Sequence, residues 1–345
     1  MNRPNHPTRM FAEAASAPHA VRRLVNSGAS RFRKLADEVT AFDPALVVTC
    51  GRGSSDHAAT YGKYLFETRL GLATSSAAPS VSSVHGGKLN LRRALYIAVS
   101  QSGASPDIVN HAAMARDQGA MVVALVNDPD SELASVASHV VPLGAGPEVS
   151  VAATKSYIVS LGALALLAGY LGNDTRLLDA LRAVPETLAA AWQSDWSALR
   201  AALKPARNMF VVGRGVGYAL AQEAALKLKE TARLHAEAFS SAEVRHGPLA
   251  MVGDGFPLLM FAQDDAARES ILRLAADATS LGARVFVAGA RLSKAIALPC
   301  PEPPHALLAP LVQAQAFYRF CNGLAHDRGH DPDAPPHLSK ITRTI

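Results

Sequence analysis

Cysteine is scarce in this sequence. The 345 residues include only Cys50, Cys300 and Cys321, an odd number with wide spacing. A disulfide framework uses an even set of cysteines, and a zinc knuckle needs pairs of them close together. The sequence therefore argues against both scaffolds and indicates a reducing compartment, which we expect to be the cytoplasm.

Long apolar runs are also missing. The most apolar run, Tyr157–Leu171, is too short to span a bilayer and contains two glycines. The N-terminus carries no apolar segment of the kind found in a signal peptide. We therefore expect no membrane partner, and we predict that 157–171 forms a buried helix.

Aromatic residues and runs of one charge are few. Aromatics make up 6% of the chain, and the formal net charge is 34 − 29 = +5. No cluster of Lys and Arg is interleaved with aromatic residues, which argues against a nucleic-acid partner. The modest positive balance suits a small anionic substrate. A chain of this length that is 49% apolar indicates a helix-rich enzyme of about two domains.

What the sequence does contain is a regular alternation of short apolar runs and helical segments. The runs that predict buried strands are 45–50, 94–99, 121–126, 139–143, 208–212, 256–261 and 284–288. The order strand, turn, helix, strand predicts right-handed crossovers and a parallel sheet.

The same order occurs twice along the chain. The interval from Gly51 to Gly213 equals the interval from Gln101 to Gln263. Landmarks that keep register in this way indicate two copies of one unit. The predicted fold class is therefore α/β, with two tandem domains, each a parallel-sheet α/β/α three-layer sandwich of the flavodoxin-like kind.

The predicted domain organisation follows from this repeat. We predict an N-terminal arm over residues 1–20, a first domain over 21–185, a second domain over 196–330 and a C-terminal tail over 331–345. The prolines at the start of this tail argue against a continuing helix there. We also expect the N-terminal helical region, from Met10 to Asp37, to break near Pro18 and Gly28.

Hydroxyl side chains cluster in the turn after the second predicted strand. Ser100, Gln101, Ser102 and Ser105 surround Gly103 at the start of a helix. In a parallel sheet such a turn lies at the carboxyl edge, where ligands bind. Backbone N–H groups at a helix start, together with hydroxyls, suit a phosphate monoester.

An alternative for this turn is purely local. Ser105 with Asp107 would then simply cap the helix. The second copy has Gln263-Asp264-Asp265 at the same place, and these acids would repel phosphate. We therefore expect only the first domain to bind the anion.

Side chains that can carry protons collect in residues 223–249. Glu223, Lys227 and Glu230 lie at i, i+4 and i+7 on a predicted helix, and His246 follows in a loop. Carboxylates and imidazoles are the usual shuttles of protons in catalysis. The alternative is a solvated helix face, because a Glu–Lys pair opposite an apolar stripe usually faces water. A histidine before Gly-Pro is also common as a turn residue.

Cofactor and metal motifs are incomplete. The Gly-Arg-Gly turns around Arg52 and Arg214 are fragments of a dinucleotide fingerprint that lack its third glycine. Both arginines could contact an anion or pack along the sheet edge. His235 and Glu237 lack a third metal ligand nearby. We therefore expect no cofactor and no metal.

A set of short motifs carries a family resemblance over nearly the whole chain. In chain order they are Cys50-Gly51 with Ser54, Ser100-Gln101-Ser102-Gly103, Val151-Ala152-Ala153-Thr154-Lys155, Ala225-Leu226-Lys227-Leu228-Lys229-Glu230, His235-Ala236-Glu237-Ala238, His246-Gly247-Pro248-Leu249 and Leu338-Ser339-Lys340. Together they resemble the tandem sugar isomerase (SIS) family, in particular the isomerase half of glucosamine-6-phosphate synthase.

The resemblance implies which residues bind the substrate. The serine turn, with Ser100, Gln101, Ser102 and Ser105, would hold the phosphate of a sugar phosphate. The remaining substrate-binding residues would line the sugar or stand beside it, and they are Cys50, Gly51, Ser54, Val151 and Ser339.

The resemblance also implies the catalytic roles. Glu230 would move a proton between C1 and C2, and Lys227 would polarise the oxygen or nitrogen at C2. His246 would open the sugar ring, and in this family it reaches over from a second subunit. Lys340 would assist at C1. The expected assembly is therefore a homodimer with the active site at the subunit interface.

One departure from the synthase shapes the predicted function. Only about 20 residues precede the first domain, and they include no cysteine that could serve a glutaminase. The predicted reaction is therefore that of an aminosugar-phosphate deaminase/isomerase, which converts glucosamine-6-phosphate and water to fructose-6-phosphate and ammonia. The alternatives are a fructosamine-6-phosphate deglycase or another phosphosugar isomerase, and a non-catalytic sensor of sugar phosphates.

Overall fold

The computed structural model describes residues 7–340, and they form two compact units. The amino-terminal unit consists of residues 19–146 and 156–185. The carboxy-terminal unit consists of residues 7–18, 147–155 and 186–340. Among the described helices, none has both the length and the apolar character to cross a bilayer.

The amino-terminal unit contains a five-stranded parallel sheet in the order β2-β1-β3-β4-β5. Its strands are β1 Leu46–Cys50, β2 Thr74–Ser76, β3 Ala94–Ser100, β4 Met121–Val126 and β5 His139–Pro142. The helices that follow these strands in the unit are α3 Ser54–Leu70, α4 Ser80–Ser83, α5 Pro106–Asp117 and α6 Glu132–Val136. Every residue of β3 is buried, so helices cover both faces of the sheet, as expected for parallel strands.

The carboxy-terminal unit repeats this arrangement with the order β7-β6-β8-β9-β10. Its strands are β6 Asn208–Gly213, β7 His235–Ser240, β8 Pro257–Phe261, β9 Arg284–Ala288 and β10 Ile296–Leu298. Its helices are α1 Arg9–Ala15, α9 Ser197–Leu203, α10 Val216–Ala232, α11 Arg268–Ser280 and α12 Ala309–Asp327.

Three further helices have residues in both units, and they are α2 Ala17–Phe42, α7 Lys155–Leu171 and α8 Thr175–Ala191. Helix α7 is buried over nearly its whole length, as its apolar sequence predicts. The stretch from Thr175 to Lys204 forms two helices, α8 and α9, that pack apolar side chains into the core.

The two sheets share one strand order, which confirms the predicted fold class of two tandem α/β domains. The turn after the first strand of each sheet also has the same backbone. Gly53 has φ 53° and ψ −128°, and Gly215, its counterpart in the repeat, has φ 59° and ψ −136°. Both glycines precede a helix, and positive φ is a conformation that glycine adopts at little cost.

Some local features differ from the sequence-based expectation. The sequence did not indicate the strands β2, β7 and β10, which lie at the edges of the sheets and have exposed residues. Of the two expected helix breaks, the first falls at Ser16, close to Pro18, and the second is absent because α2 runs through Gly28. Pro18 itself lies in the first turn of α2, where its missing N–H is not needed.

The predicted domain boundaries stay a prediction. Of the predicted arm over residues 1–20, residues 1–6 lie outside the described part of the chain, and α1 and the start of α2 follow. Of the predicted tail, residues 331–340 are described without a helix and 341–345 lie outside the description.

Candidate functional site

The serine turn joins the end of β3 to the start of α5 in the amino-terminal unit. The Ser100 hydroxyl accepts a hydrogen bond from the Gly103 N–H at 3.0 Å, and the Ser102 hydroxyl accepts one from the Ala104 N–H at 3.3 Å. A hydroxyl that accepts a bond keeps its own O–H to donate. The turn therefore holds both hydroxyls in place without using the protons that a phosphate oxygen would need.

Gly103 is required at the centre of this turn. Its φ is +63°, and a Cβ added there would lie 2.1 Å from the Ser131 hydroxyl oxygen. Its carbonyl oxygen accepts a hydrogen bond from the Leu133 N–H at 3.0 Å. The turn is thus packed against the start of α6, which fixes its shape.

The side chain of Asp107, rather than that of Ser105, accepts a backbone N–H group at the start of α5. Ser105 is the cap residue of the helix, but its side chain makes no cap hydrogen bond. One carboxylate oxygen of Asp107 accepts the Ile108 N–H at 2.9 Å, and the other binds the Arg52 guanidinium at 2.7 and 2.9 Å. The side-chain capping considered for Ser105 is therefore absent, and Arg52 has an ion-pair partner in Asp107.

Cys50 and Gly51 end β1 at the same edge of the sheet, and Ser54 begins α3. Burial raises the pKa of the Cys50 thiol to about 11, so the thiol is neutral near pH 7. A Cβ on Gly51 would lie 2.7 Å from the Asp56 backbone nitrogen, so the helix start approaches this turn closely. Cys50 is fully buried, so its predicted contact with the sugar stays a prediction.

A buried ionic cluster lies on α10 in the carboxy-terminal unit. The Lys227 Nζ is 2.5 Å from Glu230 Oε2 and 3.5 Å from Glu223 Oε1. The Tyr318 hydroxyl of α12 donates a hydrogen bond to Glu223 Oε1 at 2.9 Å. The side chain of Lys227 is 1% exposed and that of Glu223 is 0% exposed. The solvated helix face considered from the sequence is therefore wrong for these two residues.

The charges in this cluster compensate one another. Burial alone would lower the pKa of the Lys227 ammonium, but the Glu223 and Glu230 carboxylates beside it raise that pKa above its ordinary value. Lys227 therefore stays cationic at neutral pH. The side chain of Glu230 is 19% exposed, and it lines a pocket of about 290 Å³ together with His330. Glu230 is thus the member of the cluster that can meet a ligand.

Lys340 contacts the segment 147–155 in the same unit. Its Nζ donates a hydrogen bond to the Ser150 carbonyl oxygen at 2.8 Å and lies 3.7 Å from Glu148 Oε2. Val151 follows in this segment and is half-buried, whereas Ser339 is exposed. The structure therefore brings together the predicted tail lysine and the predicted sugar-lining segment.

His246 is not joined to the ionic cluster. It lies in a short 3-10 turn, Glu243–His246, and its side chain is exposed. Within residues 7–340 it makes no hydrogen bond or ion pair with Lys227 or Glu230. Its predicted role in a neighbouring subunit stays a prediction, as do the other site assignments.

The second copy of the serine turn has bonds of a different kind. Gln263 is buried, and its Nε2 donates hydrogen bonds to the Arg214 carbonyl oxygen at 2.6 Å and to Asp265 Oδ2 at 3.3 Å. The amide therefore ties together two turns at the carboxyl edge of the second sheet. This bond gives the Arg214 backbone a structural role.

Sequence reasoning missed several partners of the predicted residues. Tyr318 contacts Glu223, and Cys321 lies 3.2 Å from the Thr231 hydroxyl, which itself donates to the Lys227 carbonyl oxygen. Tyr318 and Cys321 are one turn apart on α12, but nothing in that apolar helix distinguishes them from core residues.

Comparison with known proteins places this geometry in a family. The SIS domain model matches residues 45–169 and 202–288. The isomerizing glutamine–fructose-6-phosphate aminotransferase of Methanothermobacter thermautotrophicus is 32% identical over 340 residues, which are 96% of this chain and 56% of that protein. The chain thus spans just over half the length of this curated relative.

Solved structures agree with this result. A Silicibacter pomeroyi protein, named provisionally as a phosphosugar isomerase, is 45% identical with a TM-score of 0.91, over 95% of this chain and 100% of that one. Glucosamine-6-phosphate deaminase of Thermotoga maritima has a TM-score of 0.77 at 21% identity, over 98% of this chain and 100% of that one, which shows a shared fold. The two matched segments and the two sheets of one topology show that this chain belongs to the SIS domain family.

Proposed function

We propose that the chain is an aminosugar-phosphate deaminase/isomerase, which converts glucosamine-6-phosphate and water to fructose-6-phosphate and ammonia. The observation that carries this proposal is the buried cluster of Lys227 between Glu223 and Glu230. Taking such charges out of water costs several kcal/mol per ion. A protein that only sensed a sugar phosphate would need the serine turn but not this cluster.

The relatives support the choice of substrate class. The aminotransferase named above acts, by its name, on fructose-6-phosphate and an amino group. The 45% identical protein is provisionally a phosphosugar isomerase. A sugar phosphate that exchanges an amino group at C2 fits both names. The proposal concerns the reaction that residues 1–345 perform alone, with water as the second substrate.

The proposed reaction begins with a phosphate held by Ser100, Ser102 and Ser105 and a ring opened with help from His246. Glu230 takes the proton from C2 of the open-chain 2-amino aldose and returns it to C1. A second proton passes from the amine nitrogen to O1, so the aldehyde becomes a hydroxymethyl group and the amine becomes an imine. Water then hydrolyses the imine and releases ammonia.

The second requirement of this scheme is a cation that stabilises the negative charge developing at C1 and C2. Lys227, held cationic by its two carboxylates, would stabilise the electron density that develops along C1 and C2 when the proton leaves. Lys340 would support the C1 oxygen. A positioned base and fixed cations need no cofactor for such a transfer.

Replacement of the base tests the mechanism. We expect Glu230→Gln to lower kcat for ammonia release by about 10²- to 10⁴-fold, the usual contribution of a general base. Glu237→Gln is the matched control, because Glu237 is an exposed carboxylate on the adjacent strand β7. Both variants are assayed for ammonia and for fructose-6-phosphate. Ammonia release at the wild-type rate in Glu230→Gln would remove Glu230 from the mechanism.

A substrate panel separates the proposal from its alternatives. The wild-type chain is assayed with glucosamine-6-phosphate, galactosamine-6-phosphate and a fructosamine-6-phosphate. Release of an amine and an aldose phosphate from the last compound alone would identify a deglycase. Binding of all three without turnover would identify a sensor and end the proposal of catalysis.

A further inference from the structure

The N-terminal helix α1 contacts both the segment 147–155 and the C-terminal tail. Its Glu13 carboxylate accepts hydrogen bonds from the Val149 N–H at 2.5 Å and from the Ser150 N–H at 3.2 and 3.3 Å. It also accepts the Ser150 hydroxyl. Hydrogen bonds to a charged acceptor are about twice as strong as neutral ones. Glu13 therefore holds Ser150 through its backbone and its side chain at once.

Ser150 is also the residue that receives Lys340. Its carbonyl oxygen accepts the Lys340 ammonium at 2.8 Å, and its side chain is buried. Ser150 thus contacts both residues: its N–H group donates to Glu13, and its carbonyl oxygen accepts from Lys340. A shift of Ser150 would move the acceptor on which the tail lysine rests.

A second contact ties the tail to the same helix. The Asp333 carboxylate accepts the Arg9 N–H at 2.6 Å and the Met10 N–H at 2.8 Å, so a tail residue satisfies the first turn of α1. Helix α1 itself is held on α12, where the Gln315 amide donates to the Ala14 carbonyl oxygen at 2.9 Å. The tail is therefore anchored near both of its described ends through one helix.

We propose that Glu13 is a positioning residue that sets the place of Lys340 by fixing Ser150, with α1 as the platform for the C-terminal tail. The role of Lys340 in the reaction rests on the proposed function, whereas the positioning of the tail does not. Glu13 touches no reacting atom in this scheme. Its effect passes through Ser150 to the lysine.

Hydrogen exchange tests the positioning without reference to activity. In Glu13→Ala we expect faster amide exchange both in residues 147–152 and in the tail over 331–340. Arg9→Ala is the matched control, because Arg9 lies on the same helix with an exposed side chain and uses only its backbone N–H to bind Asp333. Faster exchange in 147–152 with an unchanged tail would overturn the proposal.

Kinetic measurements test whether the position of Lys340 affects the rate of the reaction. We expect Glu13→Ala to lower kcat about tenfold or more, since small displacements of a catalytic group are costly, and to change KM little. In a Lys340→Ala background the same substitution should change kcat less than about twofold, because the group through which it acts is gone. An undiminished effect in that background would show that Glu13 acts elsewhere.

One further variant, read together with the wild-type assay, keeps the outcomes distinct. Glu13→Gln retains an acceptor oxygen for the Val149 and Ser150 N–H groups. We therefore expect amide exchange in the tail to be slower in Glu13→Gln than in Glu13→Ala, and this comparison remains useful if the alanine variant folds poorly. Equal tail exchange in the glutamine and alanine variants would contradict the role given to this carboxylate. If the wild-type chain turns over no sugar phosphate, the proposed function fails while exchange still decides the positioning of the tail.

Discussion

At the scale of single residues, whether Lys227 is exposed or buried depends on what packs against α10. Its spacing from Glu223 and Glu230 is that of an ordinary exposed ion pair on a helix. Helix α12 covers this side of α10, and Tyr318 supplies a hydrogen bond to Glu223. The same three charges therefore form a buried cluster, in which the lysine and the two carboxylates offset the cost of burying one another.

Removal of the lysine should accordingly cost stability as well as activity. We expect Lys227→Met to lower the free energy of unfolding by about 3–5 kcal/mol, because two carboxylates lose their buried cation. Lys229→Met is the control, since Lys229 is exposed on the same helix and its loss should change the free energy by less than about 0.5 kcal/mol. Urea denaturation measures both variants. Equal stability of the two would mean that the cluster is not an energetic unit.

At the scale of the element, the turn between β3 and α5 is defined by packing as much as by its hydroxyls. Gly103 has a left-handed backbone and also lies against Ser131 of the next helix. The two requirements can be separated, because Gly144 in the same unit has the same φ of +63° with no atom within 4 Å of an added Cβ.

This pair of glycines gives a matched test of the turn. We expect Gly144→Ala to cost about 1–2 kcal/mol of unfolding free energy from backbone strain alone. Gly103→Ala should cost more and should weaken glucosamine-6-phosphate binding at least about tenfold, because a Cβ would displace the turn that presents the serines. Calorimetric titration measures the affinity. Wild-type affinity in Gly103→Ala would show that this turn does not hold the phosphate.

At the scale of the whole molecule, one topology is predicted to serve two purposes. The predicted phosphate-binding residues are in the amino-terminal unit, and the predicted proton carriers Glu230, Lys227 and Lys340 are in the carboxy-terminal unit. The second copy of the serine turn is tied by Gln263 to the neighbouring Arg214 turn. The exposed His246 makes no bond to the ionic cluster of the described chain, and its use in a second subunit stays a prediction.

Mixing two inactive variants tests that use. If His246 serves the site of a partner, Glu230→Gln and His246→Ala subunits that are unfolded and refolded together should form mixed dimers with one intact site each. Random pairing then restores about a quarter of the wild-type activity. Each variant refolded alone is the control. No recovery from dimers of confirmed mixed composition would place His246 in the site of its own subunit, whereas full activity of His246→Ala refolded alone would place it outside the mechanism.

The sequence predicted the central strands because they are continuous apolar runs that the parallel sheet buries on both faces. It did not predict β2, β7 and β10, which include exposed positions and lack such a run. Strands of this kind form because a neighbouring strand offers hydrogen bonds. The presence of that neighbour cannot be inferred from the segment itself.

By itself, the sequence determined the alternation of strands and helices, the repeat that made two sheets of one order, and the segments that carry hydroxyls and proton carriers. These features are local and periodic, so each is written in a short stretch of chain. Only the tertiary structure decided that α10 turns its charges toward α12, that Arg52 pairs with Asp107, and that Glu13 and Lys340 meet at Ser150. Those last contacts join residues 137 and 190 positions apart, and no local pattern encodes which distant side chain will fill a given gap.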